Sequence, residues 1–191
     1  MVRALLVCLS FPIVFEPAKA ENRLPTNGPE LLYQLARFVE WPAGLLQNND
    51  KSAGRTQSSQ PEPFLIGLAG FDPSFENLRR GLEGRRLRGR PVIVRRASTL
   101  SDMRRSHVLF LGISERPHVR HMLAALRGAN VLTVSAIPGF AQLGGMVEIA
   151  PQEFSRHLLA VNPAEVRRSG LGLNPSLLNV VSVARTESEP E

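Results

Sequence analysis

Four short apolar runs recur between stretches with helical spacing: 64–69 (FLIGLA), 91–95 (PVIVR), 108–113 (VLFLGI) and 131–135 (VLTVS). Runs of this length with few polar interruptions suit strands covered on both faces, the condition of a parallel sheet held between helices. The intervening segments carry helix signals. Asp72-Pro73 starts one helix that reaches about Arg80, and Ser98-Thr99-Leu100-Ser101-Asp102 opens a short second one. Ser114 reads as the cap of a third, with Val119, Met122, Leu123 and Leu126 on one face and Gly128 closing it. The alternation predicts a three-layer α/β/α domain with a mostly parallel sheet.

The flanks complete the layout. Gly28-Pro29 opens a helix whose stripe is Leu31, Leu35 and Phe38 with Leu32, Ala36 and Val39 beside it. Pro42 stops that helix and leaves Trp41 at its end. Residues 145–150 (GMVEIA) and 157–161 (HLLAV), with a short polar stretch between them, predict a C-terminal antiparallel edge hairpin. Asn162 caps a helix through Arg168, and residues 175–184 predict a final helix. The polar segment at about 47–63 lacks periodicity and reads as a flexible loop inserted in a single domain, 21–191.

Residues 1–20 read as a cleaved signal peptide. Arg3 precedes an apolar stretch, and Ala18-Lys19-Ala20 offers small residues where a signal peptidase cuts. Cys8 lies inside that apolar stretch, so the expected mature domain holds no cysteine, and thiol catalysis or cysteine-bound zinc is excluded for it. The net charge of +6 comes almost wholly from arginine, with pairs at Arg79-Arg80, Arg85-Arg86, Arg95-Arg96 and Arg104-Arg105. Such a surface suits an acidic partner or a membrane face, and a solvated basic surface is the plainer reading. Export argues against nucleic acid.

No nucleophile elbow, paired carboxylates, phosphate loop or metal motif is present, so no catalytic residue, metal site or cofactor is assigned. His118 and His121 share a helical face without a third ligand and read as exposed, whereas His107 and His157 read as structural. Phe38, Glu40 and Trp41 are candidates for a partner surface, since tryptophan at a helix end is a common interface anchor; anchoring the helix to the core is an equal alternative. Arg95 and Arg96 join them as partner-binding candidates. Ser135, Pro138, Phe140, Gly144, Gly145 and Met146 outline a possible ligand-pocket loop beyond a strand's C-terminal end, with a structural turn the plainer reading of the two glycines.

Several ordered strings resemble one family. Residues 31–42 (LLYQLARFVEWP) look like the opening helix and F-x-E-W-P signature of the YfiR-like periplasmic regulators. VLFL at 108–111 is similar to its central strand. LTVS at 132–135, PGFA at 138–141 and GGMV at 144–147 resemble its central block, and Val161-Asn162, Gly170-Leu171 and Leu177-Leu178 its ending. The chain departs from the pattern at Ser106-His107, where members often carry a cysteine, and at Ala136, where an aspartate is usual. The resemblance implies a periplasmic α/β domain that is not an enzyme. It would repress an inner-membrane diguanylate cyclase by binding its periplasmic part, lowering cyclic di-GMP and affecting biofilm formation. A homodimer fits the same resemblance. The alternative is a small-ligand sensor module without cyclase control.

Overall fold

The computed structural model describes residues 28–46, 61–149, 159–178 and 182–183. The expected signal peptide, most of the polar segment, and His157 lie outside them.

The chain opens with helix α1 (Gly28–Phe38) and strand β1 (Val39–Glu40), then enters the main sheet at β2 (Phe64–Ala69). Helix α2 (Phe75–Leu82) leads to the hairpin of β3 (Arg86–Leu87) and β4 (Arg90–Arg96). Its turn is two residues long, with Arg88 and Gly89 both at positive φ, the geometry that matches strand twist. Helix α3 (Leu100–Arg105) crosses to β5 (Val108–Leu111), and α4 (Val119–Ala125) to β6 (Leu132–Ser135). The chain then forms β7 (Val147–Ile149), β8 (Leu159–Val161), α5 (Pro163–Arg168), β9 (Gly172–Leu173), α6 (Pro175–Leu178) and β10 (Ser182–Val183).

The main sheet has the order β10-β8-β7-β6-β5-β2-β4-β3. Pairing is parallel except at β3–β4 and β7–β8, so the predicted mostly parallel sheet with its antiparallel C-terminal hairpin is what forms. A short β10 lies parallel to β8 on its outer side. Alternate residues of β2, β5 and β6 enter different cores, which is why those runs are largely apolar, whereas β4 leaves Ile93 exposed. Phe64, Ile66, Val108, Phe110, Leu132 and Val134 meet α1 and α2 on one face. Leu109, Leu111 and Ala69 meet α4 on the other, with Met103 of α3 against them.

Three expectations change. The third helix starts later than Ser114: a 3-10 turn at Ile113–Glu115 intervenes, and His118 stands at the cap position. Ser114 instead lends its Oγ to the Phe71 N–H across the loops, at 2.8 Å. The final helix is described over Pro175–Leu178, and within its expected span residues 182–183 run as strand because β8 offers an edge to pair with. Finally, Trp41 does not sit on the helix end. Two residues of β1 pair with β9 before it, Val39 opposite Leu173 and Glu40 opposite Gly172.

Candidate functional site

The crossover from β6 to β7 is closed by its own polar groups. Ser135 Oγ donates to the Leu111 carbonyl at 2.7 Å and accepts from Ile137 N–H at 3.0 Å. Thr133 Oγ1 accepts from Met146 N–H at 3.2 Å, fixing where the loop rejoins the sheet. From β7, the Glu148 carboxylate reaches back and accepts from Gly139 N–H at 3.0 Å and Ala141 N–H at 3.2 Å. Asn162 Nδ2 donates to the Ala141 carbonyl at 3.0 Å while its Oδ1 accepts from Glu165 N–H at 3.1 Å, so one side chain ties the loop and caps α5. Phe140 is fully buried. Its ring lies where Gly145 would carry a side chain, 2.2 Å from an added Cβ, so only glycine fits there.

The structure therefore brings Ser135, Phe140 and Gly145 together inside the loop, with Pro138 exposed at its tip. Gly144 and Met146 line a shallow cleft of about 30 Å³ between the loop, α4 and α5, together with Leu123, Thr133, Arg127 and Glu165. Glu148 and Thr133 are participants to which the sequence gave no role, and Asn162 was expected only as a helix cap. Glu148 had a signal in retrospect, since an acid inside an otherwise apolar strand run needs donors nearby.

The candidates Phe38, Glu40 and Trp41 separate. Trp41 is only 9% exposed, its ring edge-on to Phe64 at 5.5 Å and its Nε1 donating to the Ala36 carbonyl at 3.3 Å. Phe38 is partly buried against the same core, and Glu40 is exposed beside Gly172. The geometry favours the anchoring role for the tryptophan. His107 belongs to this cluster: its ring stacks on Phe64 at 4.6 Å and its Nδ1 accepts from Leu65 N–H at 3.0 Å. Burial, reinforced by the Arg90 charge, pushes its pKa down to about 4, so the imidazole is neutral near pH 7. Ser106, its neighbour, is buried with its Oγ on the Asp102 carbonyl at 2.9 Å.

The arginine block sorts into two groups. Arg79 and Arg80 pair with Glu76, Arg85 with Glu30, and Arg104 donates to the Ala125 carbonyl at the end of α4. Arg95 and Arg96 stand at the end of β4 on opposite faces. They lie opposite Gly67 and Leu68, roughly 10 and 13 Å along β2 from the Phe64 that Trp41 touches. Thus the two sets of partner candidates occupy opposite ends of the sheet. His118 and His121 are exposed. Among the described residues no group of three metal-ligating side chains converges, and no helix is long and apolar enough to cross a membrane.

These features define a three-layer α/β domain whose polar side chains act mainly on its own loops. Residues 29–182 match the YfiR/HmsC-like family, and the chain belongs to it. The family is regulatory and known for control of diguanylate cyclases. No curated protein matches the chain. A crystal structure of a conserved domain protein from Vibrio cholerae O1 biovar El Tor str. N16961 is similar at 12% identity and a TM-score of 0.47. The match covers 65% of this chain and 56% of that one.

Proposed function

We propose that this protein is an exported, periplasmic regulator that binds the periplasmic part of an inner-membrane diguanylate cyclase and represses it. The observation that carries the reading is family membership over nearly the whole described chain. The geometry supports it in kind: the crossover loop uses its hydrogen-bonding side chains to hold backbone, which is the behaviour of a rigid binding scaffold. Repression lowers cyclic di-GMP, and with it biofilm formation.

The test is intracellular cyclic di-GMP in the native host after deleting the gene, complemented with the full gene or a version lacking residues 1–20. A rise reversed only by the full gene supports periplasmic repression. An unchanged level in every strain refutes it.

A second reading, a small-ligand sensor, would place its ligand at the cleft that Gly144 and Met146 line, which must widen beyond its about 30 Å³ to hold more than water. A thermal-shift screen of periplasmic metabolites tests it, because a ligand bound only by the folded state raises the melting temperature.

A further inference from the structure

Among the described residues, nothing pairs with the outer edge of β4 over its C-terminal half. Strand β3 pairs only with Arg90 and Pro91, and Val92 N–H then donates to the Arg85 carbonyl at 2.9 Å. That bond shows which residues point outward. Backbone groups alternate sides along a strand, so the N–H and C=O of Val94 and Arg96 share the outward direction of Val92. Ala97 N–H, on the other parity, donates inward to Leu68 at 2.9 Å, as this alternation requires. Among the described residues no strand lies on the edge beyond Val92. Such an edge is a template for another extended chain.

The side chains indicate which kind of chain. Ile93 is 44% exposed, and Arg95 follows it on the same face. The Nε and Nη2 of Arg95 are shielded from water and have no hydrogen-bond partner among the described residues. A guanidinium cannot shed its charge, and shielded donors left unpaired are costly. An anionic acceptor at the edge would satisfy them once the side chain turns toward it, in addition to the charge of Asp102 that already acts on this guanidinium. On the opposite face Arg96 is held at the strand end, its Nη1 donating to the Gly70 carbonyl at 2.7 Å and its guanidinium 5.7 Å from the Phe75 ring.

We propose that the open edge of β4 receives an extended acidic segment of a partner protein, which adds as a strand at Val94 and Arg96 and places a carboxylate on Arg95. A second copy of this chain fits badly, since antiparallel pairing of two such edges sets arginines against arginines, and like charges across a strand pair are destabilising. The assignment deepens the regulator reading, on which it rests only for the partner being a cyclase.

The test uses the purified protein with a fluorescent acetylated hexapeptide of alternating glutamate and valine, and its glutamine counterpart. The acidic peptide is expected to bind at least ten-fold more tightly, to weaken with salt, and to protect the Val94 and Arg96 amides from hydrogen exchange. Val94→Pro removes the outward donor while leaving the inner ladder intact, a substitution that edge strands tolerate, and should abolish binding. Arg95→Gln should weaken it about ten-fold. Both variants are checked by thermal melting, and if Val94→Pro does not fold, the exchange map of the unaltered protein decides. Equal affinity for the two peptides, or binding without protection of those two amides, overturns the proposal. So does a dimer that protects the same amides without peptide, which would give the edge to a second copy. Peptide binding with an unchanged cyclic di-GMP level removes the regulator reading alone; the converse removes the edge alone.

Discussion

The carboxylate of Glu148 and the amide of Gly139 are nine residues apart in sequence and 3.0 Å apart in space, with the Ala141 amide on the second oxygen at 3.2 Å. A strand residue thus holds the preceding loop at two of its amides, beside the bonds that Ser135, Thr133 and Asn162 make to it. Glu148→Ala is expected to cost about 2 kcal/mol, the scale of hydrogen bonds to a charged acceptor. Glu148→Gln, which keeps one acceptor oxygen, should cost less. Urea unfolding of the two variants checks the order, and equal losses would mean the carboxylate does not hold the loop.

Gly145 and Phe140 form the second tight pair in the same loop. An alanine at 145 meets the Phe140 ring, so Gly145→Ala should destabilise by about 1–3 kcal/mol. Adding Phe140→Leu should recover part of that loss, because a smaller side chain leaves room. A double-mutant cycle reads the coupling, and strict additivity would mean that the ring is not the obstacle.

Trp41 lies against Phe64 and His107. Trp41→Ala should cost about 3–5 kcal/mol through the cavity it leaves. Any loss of regulation in that variant should therefore track the amount of folded protein. Chemical unfolding and cellular protein level, measured together, check this; a fully stable variant that no longer regulates would return Trp41 to the partner surface.

His107 sets a pH dependence whose sign follows from its lowered pKa. Between 6.5 and about 4 the unfolded chain takes up a proton that the folded one refuses. Stability from this residue is complete above 6.5, falls as the pH drops through that window, and levels off below about 4. Glu30 and Asp102 also have lowered pKa values, Glu30 first through its hydrogen bond from Gln34 and Asp102 through that from Thr99. Their contributions are lost only at the acid end, below the ordinary carboxylate range. The urea midpoint of the unaltered protein should therefore fall from pH 7 to pH 4.5, and His107→Gln should flatten that decline. An unchanged slope in the variant would assign the decline to other groups.

The main sheet was legible because its signal is local. FLIGLA, VLFL and LTVS are apolar at every step or nearly so, and a strand covered on both faces has no other composition. The Asn162 cap was legible for the same reason, since it acts on an N–H group three residues ahead, whereas Ser114, expected as a cap, bonds the distant Phe71 amide instead. The small strands were not. β1, β9 and β10 are two residues each, and they exist because a partner edge lies beside them. The same limit applied to the candidate sites. An F-V-E-W-P string does not say which side of its chain faces the core, and the packing of Phe64 and His107 turned Trp41 inward.

The sequence by itself determined the layer order, the parallel character of the sheet and the family, since these follow from periodicity, caps and motif order along the chain. Only the tertiary structure decided that Glu148 holds the Gly139–Ala141 turn, that Arg95 and Arg96 part to opposite faces, and that among the described residues no strand pairs with the end of β4. The physical reason is that hydrogen-bond partners and strand edges belong to pairs of segments, and neither member of such a pair carries the other in its local composition.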